Sequence, residues 1–194
     1  MEKIVSLFFV FSIIFLSSCS SVTSVVSMGA NAGISSKGFA SSIDDSYTKA
    51  KIISKISTLN LSNLYDIKVS VSLGDVLLTG YTDNQLDRFK LLEKVVKTDG
   101  VNRVYNEIMI NPSVSFKERT EDALFKSRIM TRLLFKSGIN SNNFSLDVVG
   151  GNVYVIGLAD NLAEKNNIEN FLTNMNDIPK LITIINLKDK GNKN

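Results

Sequence analysis

Cys19 is the only cysteine of the 194-residue chain, and histidine is absent. Such a chain has no imidazole to act as general base or metal ligand, no thiol cluster for zinc and no second thiol for an intramolecular disulfide. No nucleophile is paired with a base, so an enzyme is not expected. Gly150-Gly151 does not open a helix after a strand, so it does not read as a loop cradling nucleotide phosphates. Neither a cofactor nor a metal is expected. What remains is the chemistry of one thiol and of surfaces.

The thiol sits where a covalent modification would need it. Lys3, the apolar run 4–16 and the small residues before Cys19 read as an export signal over 1–18. That run is shorter than the roughly 20 residues a membrane-spanning helix requires. Leu16-Ser17-Ser18-Cys19 resembles the lipobox of bacterial lipoproteins, in which the chain is cut before the cysteine and the thiol is acylated. The alternatives are an export signal that happens to contain a cysteine, or a buried N-terminal helix. Each buried CH₂ of an acyl chain is worth about 0.8 kcal/mol, so a multiply acylated Cys19 would hold the protein at a membrane. Ser20 in place of Asp implies, by the same resemblance, forwarding to the outer membrane. Residues 19–43, rich in Ser, Gly, Ala and Val with only Lys37 charged, read as a flexible tether spanning roughly 25 to 30 Å. Val25, Val26 and Ile34 alternatively dock on the folded part.

The candidate surface is a helix expected over about 118–136. Acids Glu118, Glu121 and Asp122 fall in its first turn, with Lys126, Arg128, Arg132 and Lys136 later, an order that suits the helix dipole. Helical spacing puts Ala123, Ile129, Met130, Leu133 and Leu134 on one arc, the expected core face. Leu124 and Phe135 fall outside it, beside Arg128 and Arg132. Apolar side chains flanked by arginines suit a helix lying at a membrane surface, where cations meet anionic phospholipid at about 1 kcal/mol each. The other reading is a solvated basic face, with Leu124 and Phe135 packed on a neighbouring module. A weaker version of this face, Tyr47, Lys51, Lys55 and Thr58, occurs earlier; it reads as a lesser lipid site or as a contact between modules.

These residues must be positioned by a repeated frame. Val71, Gly74, Val76, Leu78 and Gly80 recur 77 residues later as Val148, Gly151, Val153, Val155 and Gly157. In each copy a β-rich run meets Gly-Asp or Gly-Asn, a tight-turn pair supplying positive φ, and then an alternating run ending in glycine, which is a β-hairpin. The offset continues without a gap from Ile67 and Phe144 to Val104 and Leu181, so one small module is written twice. The first copy reads as a helix over 44–58, strands 65–73 and 76–81, a helix capped by Thr82 and Gln85 with Leu86, Phe89, Leu92 and Val96 buried, and a strand 101–110. The second repeats this order with strands 144–149, 152–158 and 180–187 and a helix over 161–174. The fold class is α+β, an αββαβ unit twice, each a three-stranded sheet covered by two helices. The modules run over 44–112 and 113–187, with a polar tail 188–194.

At 44% hydrophobic and 21% charged residues the chain is globular rather than disordered. Modules of about 70 residues bury only about 60% of their unfolded surface, so the two are expected to pack together. The net charge of +3 is carried by the ends, because each module is neutral, with nine bases against nine acids and then eight against eight. Without a basic stripe across a domain, nucleic acid is not an expected partner.

The V-x-x-G-x-V-x-L-x-G hairpin in this element order resembles the BON domain, in both modules, with Val155 replacing Leu in the second. Export signal, lipobox, two BON units and Val104-Tyr105-Asn106-Glu107-Ile108 closing the first unit are together similar to the DolP family of dual-BON outer-membrane lipoproteins. The resemblance implies a non-enzymatic protein at the periplasmic face of the outer membrane. It also implies binding of anionic phospholipid through the helix bearing Leu124, Phe125, Arg128, Arg132 and Phe135, in support of envelope integrity. The family's aromatic anchor falls on Leu124, so its Trp is missing here, and Phe125 could substitute only if the helix were rotated. Other two-BON proteins suggest the alternative, a periplasmic envelope-stress protein acting through contacts with envelope proteins. Tyr105, Asn106 and Glu107 are ordinary strand residues or part of the module contact.

Overall fold

The computed structural model describes residues 39–59 and 64–188, all within one compact unit. Cys19, the export signal and most of the expected tether and tail lie outside the described residues. The first helix, α1 (Phe39–Ser57), starts earlier than expected, so residues 39–43 are helix and not tether. β1 (Leu64–Ser72) and β2 (Asp75–Thr82) form the first hairpin, and α2 (Gln85–Val96) follows. The expected strand over 101–110 is divided into β3 (Arg103–Asn106) and β4 (Met109–Ile110). The break is a local side-chain bond: Asn106 Oδ1 accepts from the Ile108 N–H at 3.3 Å while the Ile108 side chain turns into the core.

The second copy runs through α3 (Phe116–Leu134), β5 (Phe144–Val149), β6 (Asn152–Ala159), α4 (Leu162–Thr173) and β7 (Leu181–Leu187). In both copies the hairpin is antiparallel and the last strand pairs in parallel with the second, so β2 and β6 are the central strands. The α+β class and the αββαβ order are as expected.

Each central strand is buried on both faces, which explains its near-continuous apolar run. Val76 and Leu78 of β2 point into a core with Ile52 of α1, Leu91 and Val95 of α2, and Ile108. Val153 and Val155 of β6 do the same against Ile129, Leu133, Ile168 and Leu172. The opposite faces meet each other, Leu77 and Tyr81 of β2 packing with Val149, Tyr154, Ile156 and Ile184. The molecule is thus layered helices, sheet, sheet, helices, and the expectation that the modules pack together holds.

Two details of α2 differ from expectation. Its N-cap is Asn84, whose Oδ1 accepts from the Asp87 N–H at 2.9 Å, so Thr82 and Gln85 form no capping box. Its buried stripe is Leu91 and Val95, leaving Leu86, Phe89 and Val96 exposed. Both stripes have helical spacing; the direction in which the chain enters from β2 decides which one faces the sheet. Asn161 caps α4 in the same way, accepting from the Glu164 N–H at 3.0 Å, 77 residues on.

Candidate functional site

The site is built on α3, whose start is fixed by Ser115-Phe-Lys-Glu118. Ser115 Oγ accepts from the Glu118 N–H at 3.1 Å and the Glu118 carboxylate accepts from the Ser115 N–H at 2.7 Å, a full capping box. Those bonds from Ser115 hold the Glu118 carboxyl below its usual range. The signature is readable in the sequence, although the expected start was Glu118 itself.

The rotation of α3 is set by Asp122. Its buried carboxylate accepts from the backbone N–H of Gly150 at 2.9 Å and of Gly151 at 2.8 Å, and from the Tyr81 hydroxyl at 2.6 Å. Asp45, 77 residues earlier, accepts from the N–H groups of Leu73 and Gly74 at 3.0 and 3.1 Å. One aspartate on the first helix of each module therefore holds the turn of its own hairpin. Both turns are two-residue loops with positive φ at both central positions, Leu73-Gly74 and Gly150-Gly151. The turn pair is one residue earlier than expected, with Asp75 and Asn152 opening the next strands. Gly80 and Gly157 are glycines for space: a Cβ on either would collide with the backbone of the neighbouring strand segment, at Asp66 and at Asn143–Phe144.

With Asp122 facing the turn, the core stripe of α3 is Phe125, Ile129 and Leu133. Phe125 is only 7% exposed, so it is a core residue and not a lipid contact, and the helix is not rotated to present it. The expected core arc shifts accordingly: Leu134 is 61% exposed and Ala123 lies at the surface. Leu124 at 61% and Phe135 at 86% stand on the side opposite the stripe and are not covered by the first module. Phe116, 77% exposed at the helix start, adds a further apolar group that sequence reasoning missed.

The cations of α3 lie along this exposed surface. The Arg128 guanidinium sits 5.1 Å from the Phe125 ring, and Arg132 and Lys136 lie 5.8 and 6.0 Å from that of Phe171 on α4. Among the described residues none of the three makes an ion pair. Lys126 instead turns inward, joining Lys68 of β1 on buried Asp147, which also accepts from Thr79. The structure thus leaves Leu124, Phe135, Arg128 and Arg132 exposed along α3 and its C-cap, and buries Phe125.

The earlier face on α1 is differently employed. Lys51 donates to the Asp99 carbonyl and Lys55 to the Lys97 carbonyl at 2.9 Å, while Tyr47 is exposed. The modules meet instead through their sheets. Tyr105 packs in that interface and Glu107 pairs with Lys180 at 3.3 Å, so these two serve the module contact. Among the described residues no helix is long and apolar enough to cross a membrane, and no group of three acidic or thiol side chains could hold a metal.

The model of the BON domain matches residues 44–112 and 121–183. The chain belongs to the BON-domain family, and it carries two BON domains in a DolP-like arrangement. It is 33% identical over 123 residues to an uncharacterized protein from the gshII 5′ region of Anaplasma centrale, covering 63% of this chain and 82% of that one. It is 28% identical over 86 residues to the outer membrane lipoprotein DolP of Haemophilus influenzae, covering 43% of this chain and 44% of the relative. The BON-domain chain thus spans less than half of that relative's length. Among solved structures, CdsD of the type III secretion system of Chlamydia trachomatis shares 15% identity at a TM-score of 0.28, covering 71% of this chain and 59% of that one. That score carries no argument.

Proposed function

We propose that this protein is a non-enzymatic lipoprotein of the outer membrane's periplasmic face, anchored by acylated Cys19, whose second BON domain engages anionic phospholipid through α3. The observation that carries the reading is the outer face of α3, where Leu124 and Phe135 stand exposed beside Arg128 and Arg132, cations without acidic partners among the described residues. Apolar groups entering the headgroup boundary and cations over phosphates reinforce each other, the cations at about 1 kcal/mol each. The named DolP relative, an outer membrane lipoprotein, supports the location. Support of envelope integrity is the physiological role that accords with such adhesion.

The test uses the Cys19→Ala chain and vesicles of phosphatidylcholine with or without phosphatidylglycerol. The gain in binding on adding phosphatidylglycerol should fall about tenfold in Arg128→Glu, a loss of roughly 1 to 2 kcal/mol, and comparably in Leu124→Asp. Equal gains for all three proteins would eliminate the site.

A second reading has one specific observation in its favour. Leu86, Phe89 and Val96 give α2 of the first BON domain an exposed apolar face, which suits contact with an envelope protein. Under that reading binding would be indifferent to phosphatidylglycerol.

A further inference from the structure

The duplication supplies an internal control for the groove between α3 and α4. This groove, of about 310 Å³, is lined by Arg132, Lys136, Asn167, Asn170, Phe171 and Asn174. At the matching positions of the first domain, 77 residues earlier, stand Lys55 for Arg132, Lys90 for Asn167, Glu93 for Asn170, Lys94 for Phe171 and Lys97 for Asn174. There the groove is closed by its own groups: Lys55 donates to the Lys97 carbonyl at 2.9 Å, and Lys97 pairs with Glu93 at 2.6 Å. In the second domain every one of those charged groups on the second helix is replaced by an amide or by Phe171. Among the described residues Arg132 and Lys136 bond to no carbonyl or acid, and the side chains of Asn170 and Asn174 have no hydrogen-bond partner.

From this contrast we infer that the α3–α4 groove of the second domain is a binding site for a hydroxyl-bearing phosphate ester, such as a phosphoglycerol group. Arg132 and Lys136 supply charge-assisted donors to the phosphate. Asn170 and Asn174 each offer a donor and an acceptor, the pairing a hydroxyl needs and a bare cation site does not provide. The C-terminal ends of α3 and α4 both oppose an anion, together with about one negative charge, against two full positive ones. An adjoining hollow of about 350 Å³ on the other side of Arg132 is lined by Arg128 and by Asp177, whose carboxylate offsets one of the two arginines, and it offers no side-chain amide for a hydroxyl. The proposal rests on the reading of α3 as the lipid-facing helix only in that the groove would hold the headgroup of a lipid met by that face; a soluble phosphate ester would use the same groups.

The experiment follows the side-chain amide signals of Asn170 and Asn174 by NMR in the full chain held in zwitterionic micelles. Sn-glycerol 3-phosphate is titrated in one arm, and in the other the chain is placed in bilayer discs with or without phosphatidylglycerol. Saturable movement of both amides in the first arm assigns a soluble ester; movement only with phosphatidylglycerol assigns a lipid headgroup. Either supports the site, provided Arg132→Gln weakens the response about tenfold and Asn170→Glu, which restores the first domain's acid, abolishes the movement of the remaining Asn174 amide. Amides that stay still in both arms, or that respond equally in Arg132→Gln, overturn it. If the amides stay still while Leu124→Asp still loses vesicle binding, the groove fails and the surface reading stands. If the amides move while Leu124→Asp binds vesicles like its parent, the groove stands and the surface reading fails.

Discussion

Asp45 and Asp122 show how much of this molecule is decided by single carboxylates. Each takes the two turn amides of its hairpin, yet the first turn contains Leu73 at φ 53° where the second has Gly150 at φ 58°. A leucine held in the left-handed region costs roughly 1 to 2 kcal/mol. Leu73→Asn should therefore raise stability by about 1 kcal/mol, since asparagine tolerates that conformation, as urea melts at neutral pH would report. Tyr81 is the other residue with a measurable signature. Burial first, and then its bond to Asp122, raise its hydroxyl above the ordinary value of 10.0. Its contribution is complete below pH 10.0 and is lost as pH rises toward the raised folded value. Tyr81→Phe should cost about 1 to 2 kcal/mol at neutral pH, by loss of a buried hydrogen bond, and should flatten the alkaline fall in stability. The spacing of the two aspartates was legible in the sequence, as identical residues at the repeat offset. Their task was not, because nothing in a propensity tells which amides a carboxylate will reach.

Helix α3 illustrates the same limit one level up. Its apolar residues are spread around the whole circumference, so the arc through Ala123, Met130 and Leu134 competes on paper with the one through Phe125, Ile129 and Leu133. Asp122, tied to a turn on another element, selects the second. The exposed pair Leu124 and Phe135 was legible because both stand opposite the winning stripe and clear of the losing one. On α2 the same ambiguity hid the exposed stripe of Leu86, Phe89 and Val96. Paired substitutions on α3 separate the two faces: Ile129→Ala should cost about 2 to 5 kcal/mol, and Leu124→Ala should stay within about 0.5 kcal/mol of the parent. The capping box is worth about 1 kcal/mol by Ser115→Ala. Glu118, held below its ordinary value by Ser115, contributes above that value, and its contribution disappears as pH falls through the lowered one.

At the scale of the molecule the two domains share a third core and cannot be treated as beads on a string. The order of elements and their repetition were legible, because turn glycines and alternation are local signals. That the two modules would pack together was legible from their small size; that they meet sheet to sheet, with Val153-Tyr-Val-Ile156 buried on both faces and Lys68 and Lys126 on Asp147, was not. Tyr154→Ala should cost about 3 to 5 kcal/mol and shift one cooperative transition of the folded domains, seen alike by fluorescence and circular dichroism. The central claim is that α3 lies with its outer face in the headgroup region. It is tested most directly by placing an environment-sensitive dye at Leu124→Cys in the Cys19→Ala chain, with Lys90→Cys on α2 as the reference position. The dye at 124 should shift to the blue, and be quenched by lipid-borne quenchers, with vesicles containing phosphatidylglycerol and not with phosphatidylcholine alone, while the dye at 90 stays in water. Equal behaviour at the two positions, or no response to phosphatidylglycerol at position 124, would contradict it.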